Sequence, residues 1–380
     1  MRGFKQIIQN IIENPGIFET PCYVYIVEEV IKNYTDLKEC LGTDLIGSFK
    51  ANSCVELLTR CNHVMGNGVE VASLKELNDV IGTSGEIFLN NPSCGQREIR
   101  AALASKATIV ADNLQQIEKL SEFMSKTEIK PIILRLNNSL LNQFSSRDVA
   151  FRPDHFGMDW ETICKAIRMI HELGLGLRGL HIFNGSYSFR EKAELSLLPI
   201  RKIISEVETR YGDAISLVNL GGGFSEKWRD EGIDFTSYRK HLSRLPSHID
   251  FVHEAGRGVF GSAGYYLTRM LNDKKIDGKA FGICDGGITH NFLLAKTENV
   301  FKRYKTPRIH SAVSETKLLS DEMLLVGPSC SKDDIFGLIP AGNPKPGKGD
   351  YFIFDYCGAY NYSYSVSRFL SLPDAKQYII

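Results

Sequence analysis

The sequence lacks any apolar run approaching the ~20 residues that a membrane-spanning helix needs. Its first stretch, MRGFKQIIQNIIENPG, is interrupted by Lys5, Gln6, Gln9 and Asn10, and we expect it to be too polar for a signal peptide. The chain also lacks a surplus of charge, since 45 basic residues balance 45 acidic ones. Without a global field to attract nucleic acid or an anionic membrane, we expect neither as a partner.

Cysteine pairs are missing as well. The nine cysteines are odd in number, scattered, and form no CxxC motif. This usage is typical of free thiols in a reducing compartment rather than of a disulfide framework, and it predicts a cytoplasmic protein. No grouping of histidine and cysteine has the spacing of metal ligands, so we also predict no metal site.

The sequence does contain a regular alternation of short apolar runs with segments of helical spacing. Eight of these runs end in small or polar residues, at 45–52, 68–73, 86–92, 108–113, 131–137, 177–186, 215–223 and 250–257. Because strand–helix–strand repeats build parallel sheets with right-handed connections, eight of them favour a (β/α)8 TIM barrel. An open doubly wound sheet is the alternative.

The pattern changes after about residue 262, where turns rich in glycine and proline separate β-like stretches. The segment PAGNPKPGKGD at 340–350 is a strong turn cluster. These features predict a mostly antiparallel β domain formed by 263–380 together with 1–27, and they leave 28–262 for the barrel. A chain of 380 residues is long enough for two such domains.

Lys50 stands alone among small and polar residues at the end of the first predicted strand, in the run GSFKANS. In a barrel its amine would project into the mouth, where partial desolvation favours the neutral form that a Schiff-base lysine needs. The alternative is a surface lysine on a loop.

Two further segments end the last predicted strands. NLGGGFS at 219–225 follows the seventh strand, where barrels often bind phosphate because bare backbone N–H groups can approach its oxygens. HEAGRG at 253–258 places Glu254 and Arg257 three residues apart. They either form a structural ion pair or serve a cofactor, with Glu254 at a ring nitrogen and Arg257 at the phosphate. A lysine, a glycine loop and a carboxylate together point to pyridoxal 5′-phosphate.

Seven short motifs then resemble, in order and over nearly the whole chain, those of the fold-type III pyridoxal-phosphate decarboxylases. This family includes the diaminopimelate, ornithine and carboxynorspermidine decarboxylases. The motifs are FKAN, GVEVAS, GLHIFNGS, LGGGF, EAGR, GPSCSKDD and DYCGAY. The resemblance implies an alanine-racemase-like barrel with a β domain, and an enzyme that decarboxylates an amino acid.

The resemblance also implies roles for individual residues. Lys50 would carry the cofactor, Glu254 would keep its ring nitrogen protonated, and Cys330 would protonate Cα. The other implied cofactor contacts are Glu70, His181, Phe183, Ser186, Gly221, Gly222, Gly223, Gly256, Arg257 and Tyr360. In the resembling enzymes the cysteine comes from a second subunit, so a homodimer with shared active sites is implied.

Three positions depart from the family pattern. Phe183 replaces the histidine that stacks on the cofactor ring, and Glu70 replaces an aspartate. Ser331 stands directly after the cysteine, where relatives acting on diamino acids carry an acid that binds the distal amine. Asp334 keeps the more distant acid of the motif, and the resemblance implies that Ser331 and Asp334 bind the substrate. A serine cannot supply the charge-assisted bond, worth ~1.5–3 kcal/mol, that a desolvated ammonium would need.

A subgroup that decarboxylates amino acids on a carrier protein, such as the glutamyl-carrier-protein enzyme of butirosin assembly, is similar at 181–183 and 284–300. The segment 138–157 carries Arg147, Arg152 and His155, which would receive a carboxylate or the phosphate of a pantetheine arm; a solvated loop is the alternative.

The competing functions are a decarboxylase of free diamino acids or carboxynorspermidine, an amino-acid racemase, and an inactive paralogue that binds the cofactor. Racemases of this fold place an arginine, not a glutamate, at the ring nitrogen.

Overall fold

The computed structural model describes residues 9–83, 85–123, 129–145, 151–212, 214–295, 304–311 and 317–380. The chain forms two compact units, one of Ile31–Val259 and the other of the residues up to Val30 with Phe260–Ile380. The predicted division was similar, and its boundaries stay predictions. Among the described helices, none combines the length and the apolar character needed to cross a bilayer.

The larger unit contains a closed barrel of parallel strands. Strand β1 (Cys22–Tyr25) precedes the barrel in the chain and belongs to the other unit. The barrel strands are β2 (Asp44–Ser48), β3 (Val69–Val71), β4 (Ile87–Leu89), β5 (Thr108–Ala111), β6 (Ile132–Arg135), β7 (Leu177–His181), β8 (Leu217–Asn219) and β9 (Asp250–Ala255). Each barrel strand pairs with the next, and β9 closes the ring by pairing with β2. All eight predicted runs therefore supply barrel strands, which confirms the TIM barrel over the open sheet.

Helices separate these strands along the chain. They are α1 (Val27–Leu41), α2 (Val55–Cys61), α3 (Leu74–Val80), α4 (Gln96–Ala104), α5 (Leu114–Ser121), α6 (Leu140–Phe144), α7 (Trp160–Glu172), α8 (Phe189–Tyr211), α9 (Phe235–Leu242) and α10 (Arg257–Phe260). Side-chain caps fix several helix starts, because Ser73, Asn113 and Asp159 each accept a backbone N–H three residues further along the chain.

Apolar side chains from six barrel strands form one buried cluster. Its members are Ile46, Phe88, Val110, Ile133, Leu217 and Val252. A TIM barrel is packed in this way rather than hollow. The polar residues at the carboxyl ends of the strands lie beyond this apolar layer, and they are the ones available for chemistry.

The smaller unit is built on a mixed sheet. Its strands after β1 are β10 (Gly264–Ile276), β11 (Lys279–Cys284), β12 (Arg308–His310), β13 (Met323–Val326), β14 (Ile335–Ile339), β15 (Tyr351–Phe354) and β16 (Lys376–Ile379), with a short helix α11 (Phe292–Ala295) after β11. Strand β1 runs parallel to β16, and β11 runs parallel to β13. The other pairs among the described strands of this sheet are antiparallel, which confirms a mostly antiparallel β domain.

His253 in β9 offers a test of how the barrel depends on pH. Its ring is fully buried, with Nδ1 2.7 Å from the Thr43 hydroxyl and Nε2 2.7 Å from the Tyr238 hydroxyl. Burial lowers the pKa of His253 from 6.5 to about 3, although the charge of Glu254 acts in the opposite direction. Between pH 6.5 and about 3 the unfolded chain therefore binds more protons than the folded one. The contribution of the neutral, buried His253 ring to the free energy of unfolding is fully present above pH 6.5 and is lost as the pH falls toward 3.

We expect His253→Gln to weaken the dependence of the free energy of unfolding on pH. The variant should be less stable than the natural protein at neutral pH, and the difference should shrink as the pH falls below 6.5, by up to about 1.4 kcal/mol per pH unit. Urea unfolding of both proteins across this range measures it. Parallel stability curves for the two proteins would contradict the assigned burial effect.

Candidate active site

Lys50 and Glu70 form an ion pair at the carboxyl ends of two neighbouring strands. Lys50 lies in a 3₁₀ turn (Phe49–Ala51) just after β2, and the register of β2 on β3 sets Ser48 beside Glu70. Lys50 Nζ donates to Glu70 Oε1 at 2.6 Å and to Oε2 at 2.8 Å, and Ser48 Oγ donates to Oε2 at 2.7 Å. The lysine side chain is 38% exposed, whereas Glu70 is fully buried.

The neutral amine expected for Lys50 from the sequence stays a prediction. In the structure the Lys50 amine bonds to the buried carboxylate of Glu70, which supports a position inside the barrel mouth.

Glu254 is the second buried carboxylate of the barrel mouth, and it is 5% exposed. Its Oε1 lies 3.2 Å from Nε2 of His181 in β7 and accepts a hydrogen bond from Nδ2 of Asn219 in β8 at 2.8 Å. Burial would raise the pKa of Glu254, but the charges and hydrogen bonds supplied by His181, Lys50 and Asn219 outweigh burial and lower it to about 2. These donors and charges therefore favour the ionised form of Glu254 over the protonated one.

The glycine loop after β8 is shaped by close backbone approaches. Gly221 has φ +66°, and a Cβ there would lie 2.4 Å from the Ile182 carbonyl oxygen; a Cβ at Gly222 would lie 2.3 Å from the Glu254 carbonyl oxygen. Gly223 has φ +99°, a conformation that favours glycine. Within the described residues, the N–H groups of Gly222 and Gly223 donate to no acceptor, so the loop is a cradle suited to phosphate oxygens.

The remaining predicted contacts of the barrel lie near these groups in the chain. Phe183 is half-buried and Ser186 is exposed in the loop after β7. Gly256 and Arg257 follow β9, and the Arg257 guanidinium carbon lies 4.6 Å from the centre of the Tyr187 ring. Among the described residues Glu254 pairs with His181 and not with Arg257, so the structural ion pair considered as an alternative for Glu254 and Arg257 is absent there.

Four predicted site residues belong to the smaller unit. Cys330 is exposed, and Ser331 is half-buried in the same loop between β13 and β14. Asp334 is only 2% exposed, and its carboxylate accepts backbone N–H groups of Ile288 at 2.8 Å and Ser329 at 3.0 Å. Tyr360 has φ +66° in the turn after β15. The catalytic, cofactor and substrate roles of these four residues stay predictions.

The predicted substrate segment is described only in part. Arg152 and His155 are exposed, and the His155 ring lies 3.9 Å from that of Phe156. Arg147 and residues 296–300 of the other subgroup motif lie outside the described residues. In the described ranges, no three side chains of histidine, cysteine, aspartate or glutamate are grouped so as to hold a metal ion.

Sequence reasoning missed the neutral and paired residues that hold these groups in place. They are Ser48, Asn90, Asp112, Arg135 and Asn219. Arg135 donates to Asn90 Oδ1 at 3.2 Å and to Asp112 Oδ1 at 3.3 Å. Each of the five lies at or just after the carboxyl end of a barrel strand, and that position was the only signal in the sequence.

The described residues fit pyridoxal 5′-phosphate. They provide an amine at Lys50, an anion at Glu254, a glycine cradle with free N–H groups, and a buried His181 Nδ1 that has no hydrogen-bond partner among them. When bound, this cofactor supplies an electron sink for the charge left on Cα after a carboxylate departs. The arrangement therefore offers an amine, a carboxylate and backbone N–H donors to a ring with a phosphate arm.

Comparison with known proteins agrees with this site. Residues 27–259 match the family model described as pyridoxal-dependent decarboxylase, pyridoxal binding domain. The L-glutamyl-[BtrI acyl-carrier protein] decarboxylase of Niallia circulans is 26% identical, over 94% of this chain and 87% of that one. Diaminopimelate decarboxylase of Deinococcus radiodurans is 27% identical, over 94% and 89%.

A solved structure of diaminopimelate decarboxylase from Helicobacter pylori with L-lysine has the same fold. Its TM-score is 0.81 at 19% identity, covering 99% of this chain and 94% of that one. The family match spans the whole barrel with its lysine, glycine loop and Glu254. The chain thus belongs to the fold-type III pyridoxal-phosphate-dependent decarboxylases, and it is an amino-acid decarboxylase.

Proposed function

We propose that this decarboxylase acts on an α-aminoacyl group held by a carrier protein in a biosynthetic pathway, with a far end that bears no free ammonium. The observation that carries the proposal is Ser331, which directly follows Cys330 where diamino-acid decarboxylases of the family have an acid. The 26% identity with a glutamyl-carrier-protein decarboxylase over 94% of the chain supports it.

The contacts of the cysteine loop agree with this substrate class. The Ser331 hydroxyl accepts the Asp333 N–H at 3.1 Å, and the Ser331 N–H donates to Ser329 Oγ at 3.3 Å. Asp334, the acid retained from the motif, is buried and already accepts two backbone N–H groups. Neither Ser331 nor Asp334 offers a free carboxylate to a distal ammonium, which would then forgo a bond worth ~1.5–3 kcal/mol.

The residues take the following roles in the proposal. Lys50 binds the cofactor through its amine, and Glu254 holds a proton at the ring nitrogen. Gly221–Gly223, Arg257 and Tyr360 bind the phosphate, and Cys330 of a second copy delivers a proton to Cα, so that the active enzyme is a homodimer.

All nine cysteines are free thiols, which supports a reducing, cytoplasmic location.

The test compares kcat/KM for carrier-bound glutamyl and aspartyl thioesters with that for free ornithine, lysine, diaminopimelate and carboxynorspermidine, following CO₂. We expect the thioesters to be preferred. Ser331→Asp should shift the preference toward diamino acids by about tenfold or more, the equivalent of ~1.4 kcal/mol. Ser331→Asn, of the same shape but uncharged, is the control and should not cause the shift.

A free diamino acid or carboxynorspermidine is the second candidate substrate, and the 27% identity with a diaminopimelate decarboxylase favours it. It replaces the carrier proposal if the natural enzyme turns over one of these compounds at roughly 10⁴ M⁻¹s⁻¹ or above, the lower end for efficient enzymes. An equal effect of the aspartate and asparagine variants would show that Ser331 does not select against the distal ammonium.

A further inference from the structure

Two protein donors converge on one oxygen of Glu254. His181 Nε2 lies 3.2 Å and Asn219 Nδ2 lies 2.8 Å from Oε1. Among the described residues no donor reaches Oε2. The carboxylate is therefore held at one oxygen by strands β7 and β8, and the described part of the chain supplies no partner for the other oxygen.

The direction of the hydrogen bond at His181 Nε2 follows from comparing its contacts with Asn90 and with Glu254. Arg135 donates to Asn90 Oδ1 at 3.2 Å, which turns the amide nitrogen of Asn90 toward His181 Nε2 at 3.4 Å. Nε2 cannot both accept from Asn90 and donate to Glu254. The shorter contact to a charged acceptor gives the stronger bond, so Nε2 carries the proton and donates to Glu254.

This donor matters because Glu254 is almost completely buried. A buried carboxylate without donors reverts to its protonated form, and a neutral acid cannot keep a ring nitrogen charged. Without His181, only Asn219 would hold Oε1. We propose that His181 is a positioning residue that fixes and ionises Glu254 through Oε1, so that Oε2 is presented to the ring nitrogen of pyridoxal 5′-phosphate. The inference rests on the proposed role of Glu254 but not on the identity of the substrate.

The test uses His181→Gln, His181→Asn and His181→Leu. Glutamine places its amide nitrogen where Nε2 lies, asparagine places the same group nearer Nδ1, and leucine keeps bulk without a donor. The readout is the ring-nitrogen NMR signal of bound pyridoxal 5′-phosphate carrying an NMR-active nitrogen isotope, with kcat measured alongside. His253→Gln, which alters a buried histidine of β9 that does not bond to Glu254, is the matched control.

We expect the ring nitrogen to stay protonated in His181→Gln and in the control, and to lose its proton in His181→Asn and His181→Leu, with kcat falling about tenfold or more in those two. The comparison of glutamine with asparagine remains decisive even if the leucine variant does not fold. Unchanged ring protonation in His181→Asn, or loss of it in His181→Gln, overturns the proposal. Glu254→Gln distinguishes a wrong role for His181 from a wrong role for Glu254. If the ring nitrogen stays protonated in Glu254→Gln, the role of Glu254 is wrong as well.

Discussion

Lys50→Ala is expected to abolish decarboxylation and to leave the purified protein colourless. The substitution removes the amine that Glu70 holds at the barrel mouth by hydrogen bonds of 2.6 and 2.8 Å, and the described strands place no other lysine in that ion pair. Absorbance of the reconstituted protein and CO₂ release measure the two effects. In the natural protein, borohydride reduction should attach the cofactor irreversibly to Lys50. Peptide mass analysis would identify the modified lysine.

The same substitution also leaves Glu70 buried without its cation, so loss of folding must be separated from loss of chemistry. Breaking a buried ion pair costs about 3–5 kcal/mol, and the cost here should be smaller because the Lys50 side chain is 38% exposed. Lys50→Ala with Glu70→Gln should recover stability but not turnover. Lys165→Ala, at an exposed i,i+4 pair with Glu161, is the control. A cofactor adduct on another lysine would refute the assignment.

Glu254→Gln is expected to lower turnover at least a hundredfold while the cofactor still binds. The amide has the shape of the carboxylate and can still accept from His181 and Asn219, but it lacks the negative charge that keeps a ring nitrogen protonated. A hundredfold loss corresponds to ~2.7 kcal/mol of barrier. Single-turnover rates together with cofactor titration measure the two effects separately.

Glu86→Gln provides the matched control for this loss of charge. Glu86 precedes β4 at the amino end of the strands, and the Arg178 guanidinium and the Thr108 hydroxyl both donate to it. Its substitution should lower the free energy of unfolding without lowering kcat, since that end of a barrel contributes to stability rather than to catalysis. A near-normal rate in Glu254→Gln would contradict the role given to Glu254.

The eight barrel strands could be predicted because each is a short apolar run closed by polar residues, and local composition carries that signal. The partners of the polar residues could not be predicted. Lys50 meets Glu70 only because β2 and β3 pair in a register that sets Ser48 beside Glu70. No spacing along the sequence gives the 3.2 Å between His181 and Glu254, which are 73 residues apart.

Asp334 illustrates the same limit in the smaller unit. The motif predicts an acid at this position, and the fold gives its carboxylate two backbone N–H groups, from Ile288 and Ser329. A sequence shows that an acid is present but not whether its oxygens are already occupied. Glycine positions were easier to interpret, since the close backbone approaches at Gly221 and Gly222 exclude a Cβ.

Asn219 joins Glu254 to the glycine loop, because its Nδ2 donates to Glu254 while its Oδ1 accepts the Gly221 N–H at 2.9 Å. This bridge restricts how the enzyme can evolve toward racemase chemistry. A guanidinium at position 254 has no lone pair to offer, so Asn219 Nδ2 would become a buried donor without an acceptor, at about 1–3 kcal/mol. Rotating the Asn219 amide so that Oδ1 accepts from the arginine would break its hydrogen bond with the Gly221 N–H. An exchange of Glu254 for arginine is therefore coupled to a change at Asn219.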